Sequence, residues 1–157
     1  MLNLDIIINN GTFDFKKNLF QTIISQCNHL KRNIMFEKDP CKKIEILTAL
    51  ALSGIIFKEY KENYNIAIKE LEKFVRSYFD KDGFPLSRNP NDLIFFTQYI
   101  LLCYENIRDA QEYMPEFLDE IVKKSLSCIK FFQTPANQLP LFNGASEYNL
   151  NNFDKYF

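Results

Sequence analysis

The stretch "IEILTALALSGIIF", residues 44–57, is apolar on every side of a helix instead of along one stripe. Such a helix is stable only when neighbours cover it all round, so it belongs at the centre of a fold. The same pattern returns in "DLIFFTQYILLCYENI", residues 92–107. The segments around these two carry a single apolar stripe each. Leu19, Ile23, Ile24, Leu30 and Ile34 form the first, Ile66, Leu71, Phe74 and Tyr78 belong to the second, and Phe117, Leu118, Ile121 and Ile129 to the third. The periodicity predicts helices over 15–36, 41–60, 62–79, 91–108 and 115–133, followed by a loop-rich tail over 134–157.

Boundary chemistry agrees with these spans. Thr12 or Asp14 can cap the first helix, Pro40 ends helical geometry at Asp39, and Pro115 suits a first helical turn. Outer and inner helices therefore alternate. The expected fold class is all-α: antiparallel α/α hairpins that stack or curve into a ring. Two inner helices are too few to close a ring, so the arrangement is expected to be part of an incomplete (α/α) toroid. The tail breaks off where "NNFDKYF" reads as a capped new helix, and a longer chain is expected on that ground.

A chain of 157 residues is expected to form one domain. Its net charge of −1 argues against a polyanion-binding surface made of bulk charge, and nucleic acid is excluded as a first choice of partner. Sixteen Phe and eight Tyr supply ample core volume. Cys27, Cys41, Cys103 and Cys128 form no C-x-x-C pair, so they read as free thiols, not as a zinc or redox site; no metal and no cofactor are expected. The opening "MLNLDIIINN" has no basic leader region, and no run approaches the ~20 apolar residues of a membrane span. A short extended segment is expected there. The chain as given is expected in the cytoplasm and away from membranes, and a preceding leader would place it in the periplasm.

One stretch interrupts the helices: "DKDGFPLSRNP", residues 80–90. Asp82-Gly83 offers a turn with a residue free to take positive φ, while Pro85 and Pro90 fix two more backbone angles. Two readings are open. In one, Ser87, Asn89 and Asn91 cap the fourth helix and Arg88 lies on the surface. In the other, a rigid loop presents Arg88 and Asn89 to an anionic or hydroxylated ligand, because a guanidinium grips a carboxylate in a bidentate fork. Asn143, in "LPLFNG", is a third candidate for substrate binding, beside its reading as a plain Asn-Gly turn. His29, the single histidine, follows Asn28 on the amphipathic first helix and reads best as a hydrogen-bonded surface histidine. No Gly-rich phosphate loop, serine elbow or H-E-x-x-H motif occurs, which excludes those enzyme classes.

Three landmarks in order, "SQCNHL" at 25–30, "DGFPLSRNP" at 82–90 and "FFQTPANQLPLFNGASE" at 131–147, with "LTALALSGIIF" at 47–57, carry a resemblance. Over about residues 15–150 the chain resembles the helical domain of heparinase II/III-like proteins, in particular the alphaproteobacterial type. The resemblance implies an N-terminal (α/α) toroid, a C-terminal β-sandwich on the same chain, and cleavage of uronic-acid polysaccharides by β-elimination. That chemistry needs a neutraliser for the C6 carboxylate, a base for the C5 proton and an acid for the leaving oxygen. Ser87, Arg88, Asn89 and Pro90 match the family loop, whereas its glycine and histidine fall on Phe84 and Pro85. The Tyr-His pair of the lyase branches falls on Asp92 and Leu93, and their Asn-His near Cys41 and Lys42. No catalytic residue is assigned in this segment, which is expected to be inactive alone. The competing expectation is a non-catalytic helical-repeat module that binds a glycan or protein partner.

Overall fold

The computed structural model describes residues 10–156; the extended opening expected at the N-terminus falls on residues 1–9 and lies outside them. Two compact units make up the chain, Met1–Phe36 and Glu37–Phe157. The described part of the first is built on α1, Phe13–Asn33, whose N-terminus is capped by Thr12: its hydroxyl accepts from Phe15 N–H at 3.3 Å. Asp14 in the first turn and Lys31 and Arg32 in the last complement the helix dipole.

The second unit is all-helical among its described residues apart from two isolated bridges. It comprises α2 (Pro40–Ile56), a 3-10 turn (Lys58–Tyr60), α3 (Lys61–Tyr78), α4 (Pro90–Asp109), α5 (Glu116–Phe132) and a 3-10 helix, Leu150–Tyr156. The all-α expectation is met. Two of the starts share one device. Asp39 and Asn89 each accept from the N–H two residues on, at 2.9 and 2.8 Å, with Pro40 and Pro90 as first helical residues. α2 stops four residues before the expected Tyr60, because Phe57 turns extended and the chain re-enters through the 3-10 turn.

Burial follows the sequence pattern. α2 exposes only Lys42, Glu45 and Ile56, and α4 only Arg108 and Asp109, while α3 and α5 each bury one face. α2 packs on α3 and on α4, and α4 on α5, whereas α3 barely meets α5. Two hairpins thus lie side by side, joined through their inner members. Phe74 of α3 meets Phe96 of α4 edge to face at 5.3 Å and Phe79 joins them at 5.9 Å from Phe96, giving the core an aromatic centre. No helix of the described residues is long and apolar enough to cross a membrane.

The hairpin of α2 and α3 closes on Gly54. A methyl added there would lie 2.4 Å from Tyr64 N and 2.6 Å from its Cβ, so the helices touch backbone to backbone. Beside this contact the buried Asn63 amide donates to Ser53 Oγ at 3.2 Å, and Ser53 donates to the Leu50 carbonyl at 2.8 Å. The pair satisfies polar groups that close packing has shut off from water.

The tail ends in a 3-10 helix where a capped α-helix is expected. Asn149 caps it, its side chain accepting from Asn151 N–H at 2.9 Å, and Leu150 and Phe153 are fully buried. Gln98 of α4 hydrogen-bonds Tyr148, and Glu105 accepts from Lys155 at 3.1 Å and Tyr156 at 2.6 Å. The tail is therefore anchored on α4.

Candidate functional site

The loop between α3 and α4 is organised by one side chain, Asp80. Its carbonyl accepts from Gly83 N–H at 3.1 Å, closing a turn with Asp first and Gly fourth. Its Oδ1 accepts from the N–H groups of Asp82 and Phe84, both at 2.9 Å, and its Oδ2 takes Arg88 Nη1 at 2.5 Å. Phe79 and Pro85 pair as an antiparallel bridge, with Asp80 N–H on the Phe84 carbonyl at 2.9 Å and Leu86 N–H on the Tyr78 carbonyl at 2.8 Å. The loop is a miniature hairpin.

Gly83 has φ +86, and a Cβ there would meet Lys124 Cβ at 2.5 Å, Lys124 C at 2.8 Å and Ser125 N at 2.9 Å. The turn thus lies directly on the backbone of α5. Cys128 of the same helix donates its thiol to the Asp82 carbonyl at 3.2 Å. Phe84 and Pro85 are buried, Phe84 in ring contact with Phe132 at 5.3 Å. Both residues are thus used for packing.

Asn143-Gly144 forms a turn of its own. Both residues have positive φ, +50 and +82, and Ala145 N–H reaches the Phe142 carbonyl at 3.0 Å, the pattern of a type I′ turn. This turn folds back on the loop at 80–90. Asn143 Nδ2 donates to the Arg88 carbonyl at 2.9 Å, and Phe142 stacks on Phe84 with centroids 6.5 Å apart and planes at 17°. The Asn91 amide docks on Ser146, its NH2 on the carbonyl at 3.0 Å and its oxygen accepting from the N–H at 3.3 Å and from Oγ at 2.6 Å. Stretches more than fifty positions apart in sequence become one surface.

The three predicted site residues fare differently. Arg88 has φ +57, a conformation that costs a non-glycine residue about 1 kcal/mol, and the Asn143 bond to its carbonyl helps hold it there. Its side chain is 53% exposed, with one arm on Asp80 and the guanidinium 5.9 Å over the Phe84 ring. Arg88 and Asn143 are brought together. Asn89 instead turns its Oδ1 inward to cap α4, so the capping reading describes its oxygen. Ser87 Oγ accepts from Asn89 N–H at 3.4 Å. His29 lies in the other unit, where Asn33 Nδ2 sits 3.3 Å from its Nε2 and donates to its carbonyl at 2.8 Å.

Asp80 is the organiser that the motif reading overlooked. Its signal was present in "DKDG", an Asp three residues before a Gly. Burial pushes its carboxyl up, but the bonds from Phe84 N–H, Arg88 and Asp82 N–H more than offset this and leave it below the ordinary aspartate value. A carboxyl depressed on folding stabilises the fold above its unfolded value, and that contribution is lost as pH falls through the folded one. Acidification below about pH 4 should therefore loosen this loop. Asp80→Asn should cost about 2 kcal/mol at neutral pH and lose less on further acidification than the wild type. Thermal unfolding midpoints between about pH 7 and about pH 3, a range that brackets carboxylate titration, check this; parallel slopes for the two proteins would exclude Asp80 as the titrating group.

Elsewhere, a cavity of about 740 Å³ opens between α3 and α5, lined by Tyr64, Ile68, Tyr113 and Phe117 with Glu72, Glu112 and Glu120 among its acids. Those acids are already paired, Glu72 with Arg76, Glu112 with Lys61 and Glu120 with Lys124. At the 80–90 loop the Arg88 guanidinium, paired with Asp80, is 53% exposed, and Phe142 of the adjoining turn is 36% exposed. The four cysteines are free thiols, and burial pushes the Cys103 thiol up to about 11, well outside a nucleophile's range.

Comparison with family models, curated proteins and solved structures finds no match to this chain.

Proposed function

We propose that this chain is part of the (α/α)-toroid domain of a heparinase II/III-like protein, and that the whole protein binds and cleaves an acidic, uronic-acid-containing polysaccharide by β-elimination. The observation that carries the reading is the meeting of two of the three landmark stretches, 82–90 and 131–147, with Asn143 bonded to the Arg88 carbonyl and Phe142 stacked on Phe84. Motifs that share only a sequence order gain weight when they also share a surface. The side-by-side hairpins joined through α2 and α4 support the toroid part of the reading, since a ring of this kind grows by adding such pairs.

In this reading Arg88 meets a uronate carboxylate. One N–H of the guanidinium is held by Asp80, and the side chain is 53% exposed, which leaves it accessible to a ligand. The segment alone lacks the proton-transfer groups of the lyases: Phe84, Pro85, Asp92 and Leu93 carry neither imidazole nor phenol. It is a binding surface, and the β-sandwich implied by the resemblance would complete the enzyme.

Arg88→Ala should weaken binding of a polyuronate oligosaccharide by about 10- to 100-fold, the effect of removing a charge-assisted hydrogen bond. Its fold should be little changed, because a half-exposed ion pair contributes at most about 1 kcal/mol. Calorimetric titration of both proteins measures this, and equal affinities would remove Arg88 as an anion clamp. The second reading, a non-catalytic module binding a glycan or protein, is favoured by the burial of Phe84 and Pro85, which puts the places of the family loop's glycine and histidine into the core.

A further inference from the structure

We propose that Phe131 and Phe142 are the apolar half of a glycan platform whose charged half is Arg88. The inference rests on the reading of Arg88 as the carboxylate-binding group and adds the residues that would carry the uncharged face of the sugar. It begins from a row of rings. Phe131 lies edge to face with Phe132 at 5.1 Å, Phe132 lies 6.1 Å from Phe142, Phe142 stacks on Phe84, and Arg88 stands over Phe84.

The burial along this row is uneven in a particular way. Phe84 is buried and Phe132 half-buried, so both belong to the packing that fixes the loop. Phe131 is 81% exposed and Phe142 36% exposed. A single exposed phenylalanine needs no explanation. Here two exposed rings continue an ordered aromatic row that ends in an exposed guanidinium and the Asn143 amide, and those neighbours define the chemistry of what would cover them.

A pyranose ring presents two unlike surfaces. Its axial C–H bonds form a weakly positive apolar face that suits the negative face of an aromatic ring, while hydroxyls and, in a uronate, the carboxylate project from its rim. Rings beside a cation match both surfaces at once. A purely apolar protein patch would use the rings and leave the Arg88 donors beyond the one on Asp80 unmatched, and an inorganic anion would use Arg88 and leave the rings bare. Phe131 and Phe142 are linked through Phe132 by centroid steps of 5.1 and 6.1 Å, a separation that a short oligosaccharide can span.

Phe131 is the residue to change, because its exposure leaves the core intact on truncation. The chain is titrated with a polyuronate hexasaccharide and with the same oligosaccharide after carboxyl reduction. Phe131→Ala should weaken both probes by a common factor of about five to ten, whereas Arg88→Ala should weaken only the charged one. Phe131→Trp puts a single tryptophan into a chain that has none, and it should keep the affinity and move its emission to the blue on binding. If Phe131→Ala stays within about twofold of wild type and the tryptophan emission does not move, the platform is wrong while the Arg88 reading stands. If the wild-type chain binds neither probe, both fall together.

Discussion

Gly83→Ala is expected to cost at least about 3 kcal/mol, a large fraction of the ~5–15 kcal/mol that holds a typical domain folded. Two penalties coincide at this position. The backbone sits at φ +86, where any Cβ is strained by about 1 kcal/mol or more. The new methyl would also lie 2.8 Å from Lys124 C and 2.9 Å from Ser125 N, and these are backbone atoms of α5 that no rotamer change can move. Relief requires either the loop or α5 to retreat. A shifted α5 would pull Leu118, Ile121 and Ile129 from the core, and a shifted loop would break the bonds of Asp80 to Phe84 and Arg88. Denaturant unfolding measures the loss, and a cost below about 1 kcal/mol would mean that the turn is not seated on α5 as described. Gly144→Ala is the internal control: φ is +82, yet nothing lies within 4 Å of the added methyl, so only the strain of about 1 kcal/mol should appear.

Gly54→Ala should cost about 2–4 kcal/mol, for a different reason. No strained backbone is involved. The methyl would stand 2.4 Å from Tyr64 N and 2.9 Å from Tyr64 Cα, so α2 and α3 must part at the place where they touch most closely. Parting them stretches the Asn63–Ser53 hydrogen bond next door and leaves the buried Asn63 amide without its partner, while Ser53 keeps its bond to the Leu50 carbonyl. Because α2 also packs on α4, the displacement carries into the second hairpin. Thermal unfolding of the variant tests this, and a midpoint equal to wild type would show that the helices accommodate a methyl without separating.

The inner helices were legible because their sequences lack a polar face: Ile44 to Phe57 and Leu93 to Ile107 leave no side on which water could sit. Helix starts were legible wherever a capping side chain precedes a proline, as at Asp39-Pro40 and Asn89-Pro90. The end of α2 was not, since "FKEY" has no breaker, yet Phe57 turns extended and a 3-10 turn follows. In the site, the positive φ at Gly83 followed from the Asp-Gly pair, and so did the turn at Asn143-Gly144. What a linear reading could not supply was their meeting. The bond from Asn143 to Arg88 spans 55 positions, and nothing local to either residue records it. The same holds for Phe84 and Phe142, which lie in separate stretches of sequence and stack in the fold. Asn89 shows the opposite case, in which the local rule for an Asn before a helix prevailed over a ligand-facing role for its oxygen.

The central claim is that the surface formed by the 80–90 loop and the Asn143 turn receives a uronate-bearing glycan. Side-chain NMR of the guanidinium and amide groups during titration with a polyuronate hexasaccharide tests it most directly. The account predicts that the Arg88 guanidinium, the Asn143 side-chain amide and the Ser146 N–H shift together along one saturation curve, and that carboxyl reduction of the probe abolishes the Arg88 shift. Shifts confined to the groove between α3 and α5, or an Arg88 signal that stays fixed at saturating probe, would contradict it.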